Sequence, residues 1–184
     1  MAGASLPITV MIDDREVRAA LERLANRAGH LAPALAEIGE VLVRSTQDRF
    51  GSETGPDGER WAENSDTTLL RHLNRRQDSY TKKGRLSAAG ARRLGGKKIL
   101  TDRGYLGGLI HPQLLDGGRA LAVGSNRKYA AVQQFGQPQG ASGRTARGAP
   151  IPWGDIPARP FLGLSDDDRE RVLRNHQRRL NGEQ

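Results

Sequence analysis

"IPARPFLGLSDDD", Ile156 to Asp168, decides how this chain is read. Two prolines enclose an arginine, an apolar tip follows, and a helix start comes next. Pro157 and Pro160 fix φ and remove backbone donors. Arg159 between them is already restrained, so it loses less entropy on meeting a partner. Ser165 with Asp168 three residues on has the form of a capping box. Three acids in one turn suit the positive end of a helix dipole. A helix is therefore predicted from Ser165 to about Leu180. Val172, Leu173, His176 and Leu180 share one face, and Arg171, Arg174, Arg178 and Arg179 make the remainder basic. Nothing in the stretch has the makings of a catalyst. Two readings stand for Pro160, Phe161 and Leu162: packing into their own core ahead of the helix, and contact with a neighbouring subunit, Arg159 included. The two are compatible. Phe135, beside Gly136, carries the same pair of readings.

Upstream, "KYAAVQQFG" (Lys128 to Gly136) suits a short helix or a strand edge. It leads into "QPQGASGRTARGAP", Gln137 to Pro150, a glycine-rich loop made basic by Arg144 and Arg147. Loops of this length inside a domain are uncommon and are often functional or mobile, and a flexible loop is expected here. Further back, "GYLGGLIHP" and "RALAVGS" flank "LLDGG". With a turn at Asp116-Gly117 they predict an antiparallel hairpin. From Arg71 to Lys98 the texture is different. Arg71, Arg75, Arg76, Lys82, Lys83, Arg85, Arg92, Arg93, Lys97 and Lys98 give ten cations against a single acid, Asp78. Few large apolar residues are present to offset ordering entropy. A mobile basic insert with short helical pieces is expected.

The N-terminal third is more regular. Leu6 to Ile12 is β-branched and reads as a short strand. Asp13 or Asp14 caps a helix ending at Gly29, with Val17, Leu21, Leu24 and Ala28 at helical spacing. A second helix runs from about Leu31 to Phe50, with Leu31, Leu35, Ile38 and Leu42 as its apolar stripe. Pro33 fits its first turn. The pair predicts a helical hairpin. "PDG", Pro56 to Gly58, is a turn signal, and Trp61 is expected to anchor that loop on the helices. The whole is one α+β domain over residues 1–184: a small antiparallel sheet packed by an N-terminal helical hairpin and a C-terminal helix, with long mobile loops.

Composition narrows the function. Among 184 residues 36% are hydrophobic and 4% aromatic, so the core is modest and partners are expected to order part of the chain. The absence of cysteine excludes disulfides and thiolate chemistry. The N-terminus lacks the basic region of a signal peptide, and no apolar run reaches bilayer length. Synthesis in the cytoplasm without a membrane is expected. His30, His72, His111 and His176 do not pair at helical spacing. No metal, nucleotide or phosphate-loop pattern appears. Asp13-Asp14 and Asp166 to Asp168 sit at helix starts, where capping explains them. No catalytic, cofactor or metal set is expected, hence no enzyme. The net charge of +8, with a pI near 10.5, favours a polyanion or an acidic protein.

In order, "RF" (Arg49, Phe50), "PDGERW" (Pro56 to Trp61), "KIL" with "GYLGGLI", "AVGSNRKYAAVQQFG" and "IPARPFLGLSDDDRERV" form a set. Across about Ile8 to Leu180 this resembles the tailed-phage virion morphogenesis proteins, also called tail completion proteins, known from Mu-like phages. The "YA…FG…RPF" theme is similar to head–tail neck joining proteins. The resemblance implies a structural virion protein forming part of a homo-oligomeric ring at the head–tail junction, without catalysis or cofactor. Its partners would be other copies and other neck, portal or tail proteins. On that reading Arg159, Pro160, Phe161, Leu162 and Phe135 are candidate intersubunit contacts. The cations from Arg75 to Lys98, with Arg144 and Arg147, are candidates for packaged DNA or an acidic partner. The rival is a sequence-independent DNA-binding protein acting in the infected cell. Against it stand the lack of a recognisable DNA-reading motif and the scarcity of aromatics for base stacking.

Overall fold

The computed structural model describes Arg15, Glu16, Ala19, Glu22, residues 31–104 and residues 106–180. The strand expected over residues 6–12 lies outside these. So does most of the first helix, although its four described positions are helical and exposed.

Helix α1 (Ala32–Ser52) carries Pro33 in its first turn and ends in a left-handed Glu53 with φ of 60°. Its stripe packs two ways. Leu35 and Ile38 join Val172 of the C-terminal helix in one buried cluster, with Leu31, Leu42 and Leu121 around it. The same stripe also rests on the expected hairpin: β1 (Ile110–Leu115) and β2 (Ala120–Ser125) run antiparallel, with Ile110 opposite Ser125 and Leu115 opposite Ala120. Asp116, Gly117 and Gly118 turn the corner with φ of 50°, 65° and 89°. The first strand begins later than its sequence run, because Gly107–Leu109 forms a 3-10 turn. Gly39 explains itself here. A Cβ on it would stand 2.7 Å from Pro112 Cβ. Glycine in a helix costs about 0.5–1 kcal/mol, and in return α1 lies close on the sheet.

A second cluster gathers Phe50, Trp61, Ile99, Leu106, Ile110, Ala130, Phe161 and Leu162. Phe50 is its hub, edge-on to Trp61 at 5.3 Å between centroids and tilted against Phe161 at 5.6 Å. Trp61 is thus the anchor expected of it.

The basic stretch holds more local structure than its composition implies. Helix α2 (Asp66–Asn74) is capped by Ser65, and α3 (Ala88–Gly95) by Ser87. A 3-10 turn, Gln77–Ser79, lies between them. Ser79 is fully buried. Its hydroxyl donates to Leu73 O at 2.6 Å and accepts from Arg93 Nη1 at 3.0 Å. Ser87 donates to Asp78 O at 2.5 Å. Polar side chains here take the place of an apolar core, and hydrophobicity counts do not register them.

Helix α4 (Ala130–Phe135) settles the "KYAAVQQFG" segment as helical. Helix α5 (Asp166–Leu180) opens with the expected capping box: Ser165 Oγ accepts from Asp168 N at 3.2 Å, and Asp168 Oδ2 accepts from Ser165 N at 3.0 Å. Helices packed on a two-stranded antiparallel sheet make the fold α+β.

Candidate assembly surface

The segment from Pro160 to Gly163 is buried or half-buried backbone without regular secondary structure, so each of its carbonyls needs a donor. Four side-chain bonds from three places supply them. Trp61 Nε1 donates to Pro160 O at 2.8 Å. Arg49 Nη1 donates to Phe161 O and Gly163 O, each at 3.0 Å. Gln134 Nε2 donates to Leu162 O at 3.0 Å. Gln134 Oε1 in turn accepts the N–H groups of Phe161 and Leu162, both at 3.0 Å. Arg49 also reaches Asp168 Oδ2 at 2.5 Å, tying α1 to the start of α5. Burial pulls the Arg49 pKa below its usual value, with Asp168 opposing that shift.

The sequence-predicted contacts therefore divide. Phe161 has no exposed surface, and Leu162 and Arg159 are buried. Arg159 Nε and Nη2 donate to Ala62 O and Glu63 O at 2.7 and 2.6 Å. Burial lowers its pKa as well. Of the two readings of "RPFLG", core packing is the one seen. The apolar atoms and donors of Arg159, Phe161 and Leu162 are used within the subunit, which leaves them little free surface for the compatible reading, contact with a neighbour. Pro160 is half-buried. Phe135 differs, with 61% of its surface exposed at the end of α4.

Phe135 stands at the base of an arm. Gln137 and Ile156 exchange both backbone bonds at 2.8 Å. Farther out, Ser142 N donates to Ile151 O and Ile151 N to Gly143 O, each at 2.8 Å. Arg144 bridges Pro150 near the tip. The expected loop over residues 137–150 is thus one leg, and part of the returning leg, of a folded-back arm. The returning leg carries the most exposed aromatic residue described, Trp153 at 69%, with Ile151 also exposed. Sequence reading passed over Trp153; its signal was an aromatic residue amid glycine and proline, in a chain with two tryptophans. Beside the arm's base a cavity of about 300 Å³ is lined by Leu100, Leu106, Tyr129 and Ile156, with Lys97 and Asp102 at its polar side.

The predicted cations also divide. Arg75 pairs with Asp102, and Arg93 with Asp78. Lys97 donates to the carbonyls of Lys98 and Thr101, and burial lowers its pKa. Lys98 donates to Gly51 O at 2.7 Å, and Arg144 to Gly148 O at 2.9 Å. Arg76, Lys82, Lys83, Arg85, Arg92 and Arg147 are exposed, with no ion-pair partner among the described residues.

Among the described residues no group of three or more His, Cys, Asp or Glu is placed to hold a metal ion. Nor is any described helix long and apolar enough to cross a membrane. The arrangement offers contact chemistry: an arm with exposed Ile151 and Trp153, a cavity at its base and exposed cations. Neither a curated protein nor a solved structure matches the chain. A family model does match, over residues 12–181, and that span includes α1, the hairpin, the arm and the capped α5. The chain belongs to the phage virion morphogenesis family.

Proposed function

We propose that this protein is a ring-forming structural subunit that completes the phage head–tail junction. The family gives it a part in building the virion. The observation that carries the finer reading is the arm, which holds Trp153 and Ile151 outward while the neighbouring core is closed by its own bonds. A ring interface is heterologous, one patch meeting a different patch on the next copy. Exposed aromatics are the residues that anchor such contacts. On this reading the protein is made in the host cytoplasm and resides in the virion, against other copies and the adjoining neck, portal or tail proteins.

A phage lacking the gene, complemented from a plasmid, tests this. Without the protein, electron micrographs of lysates should show separate heads and tails. The wild-type gene should restore joined particles with a ring at the neck. Complete infectious particles from the deletion would overturn the proposal. Complementation by Trp153→Asp should fail to join particles although the purified variant keeps its thermal stability.

A further inference from the structure

Three seven-residue stretches fold alike. They are "TGPDGER" (Thr54 to Arg60), "YTKKGRL" (Tyr80 to Leu86) and "RTARGAP" (Arg144 to Pro150). In each, the first and seventh residues form an antiparallel bridge. The second N–H donates to the sixth carbonyl at 2.8 Å in all three. The fifth N–H donates to the second carbonyl, at 3.1, 2.9 and 2.9 Å. The fifth residue is glycine with φ of 81°, 74° and 79°. A side-chain oxygen accepts the sixth N–H: Asp57 at 3.0 Å, Thr81 at 3.2 Å and Thr145 at 3.1 Å. This is a tight turn closed by a left-handed glycine.

The backbone needs that glycine and one side-chain acceptor. When the acceptor is the second-position threonine, the third and fourth residues are left free. The first turn is used inward, with Pro56 against Gly163, where an added Cβ would lie 2.6 Å from its Cγ. The other two turns expose their tips, and there the free positions hold Lys82-Lys83 and Ala146-Arg147, with Arg85 following in the first of them. None of these cations has a carboxylate partner among the described residues. The cations are not demanded by the turn.

We propose that the two outward turns are phosphate-contacting fingers for duplex DNA, Lys82, Lys83 and Arg85 on one and Arg147 on the other. A protein partner fits less well, because the centres of protein interfaces are depleted of charge and rich in aromatic residues, whereas the tip positions hold Lys82, Lys83, Ala146 and Arg147. Single-stranded nucleic acid also fits less well, since neither tip carries an aromatic residue on which bases could stack. Phosphate contacts ask only for accessible charge and carry no sequence information. The inference stands apart from the ring, because it concerns what the free chain binds.

Fluorescence anisotropy with the purified full chain and short labelled duplexes of two unrelated sequences, across a salt series, tests it. Both duplexes should bind with the same affinity. The slope of log affinity against log salt should fall by about 2–3 in Lys82→Gln/Lys83→Gln/Arg85→Gln, and by about 1 in Arg147→Gln. Thermal unfolding should be unchanged in both. Absence of binding at low salt, an unaltered slope in the variants, or tighter binding of a single strand than of duplex would each overturn the proposal. Variants that bind DNA like the wild type yet cannot complete particles would do the same, assigning the cations to an acidic protein face.

Discussion

Asp168 Oδ2 accepts from the Arg49 guanidinium at 2.5 Å, from Ser165 N at 3.0 Å and from Ser165 Oγ at 2.8 Å. Burial alone would raise this carboxyl's pKa. The neighbouring hydroxyl of Ser45, the bonds from Ser165 and the charge of Arg49 outweigh it and hold the group below the usual carboxylate range. A carboxyl depressed in the folded state is protonated first in the unfolded chain. Its contribution to stability is therefore complete above an unfolded pKa of about 3.9 and is lost as pH falls through the folded value. Urea unfolding at a series of acid pH values should show that loss, and Asp168→Asn should flatten it. Asp168→Ala should cost about 3–5 kcal/mol at neutral pH, because it leaves Arg49 buried without its counter-charge. Phe161, fully enclosed, behaves as a core residue. Phe161→Ala should lower stability by about 3–5 kcal/mol in the same measurement. A charge at Phe161 would unfold the subunit and so report nothing about its neighbours; Trp153 is the position that tests a contact surface.

At the scale of the element, the join between α4 and the arm rests on Gly136. Its φ is 72°, and a Cβ there would lie 2.8 Å from both Ala158 N and Ile156 O. Both neighbours are backbone and cannot swing aside. Gly136→Ala should therefore cost more than about 1 kcal/mol in chemical denaturation, and unchanged stability would show that the arm's base has room for a side chain. α5 teaches a different lesson. Its capping box was legible because Ser165 and Asp168 meet within one turn, whatever the remainder of the chain does. The hairpin of β1 and β2 was legible for the same reason: four turn residues decide it. Residues 71–98 were less so. Their composition predicts too little apolar surface, and the organising group is the hydroxyl of Ser79, enclosed by Leu73 O and Arg93.

For the molecule as a whole, its two tryptophans divide the work, with Trp61 in the core and Trp153 outside. In a Trp61→Phe background the isolated subunit should emit as a solvent-exposed indole, and assembly should shift that emission to the blue; an unshifted spectrum in assembled particles would remove Trp153 from any interface. What the sequence determined unaided was whatever short-range physics controls: the helical spacing of α1, the caps, the turns, the excess of positive charge and an ordered set of motifs that resembled one family. Tertiary structure decided which of those residues remained available. Arg49 and Asp168 are 119 positions apart, and Gln134 and Leu162 are 28 apart, so no local pattern joins them. The "RPFLG" segment left both core packing and subunit contact open, because prolines and an apolar tip suit either side of a surface. Only the folded chain brings Trp61, Arg49 and Gln134 to its four carbonyls and turns it inward, since a buried irregular backbone is stable only where donors from distant parts of the chain converge on it.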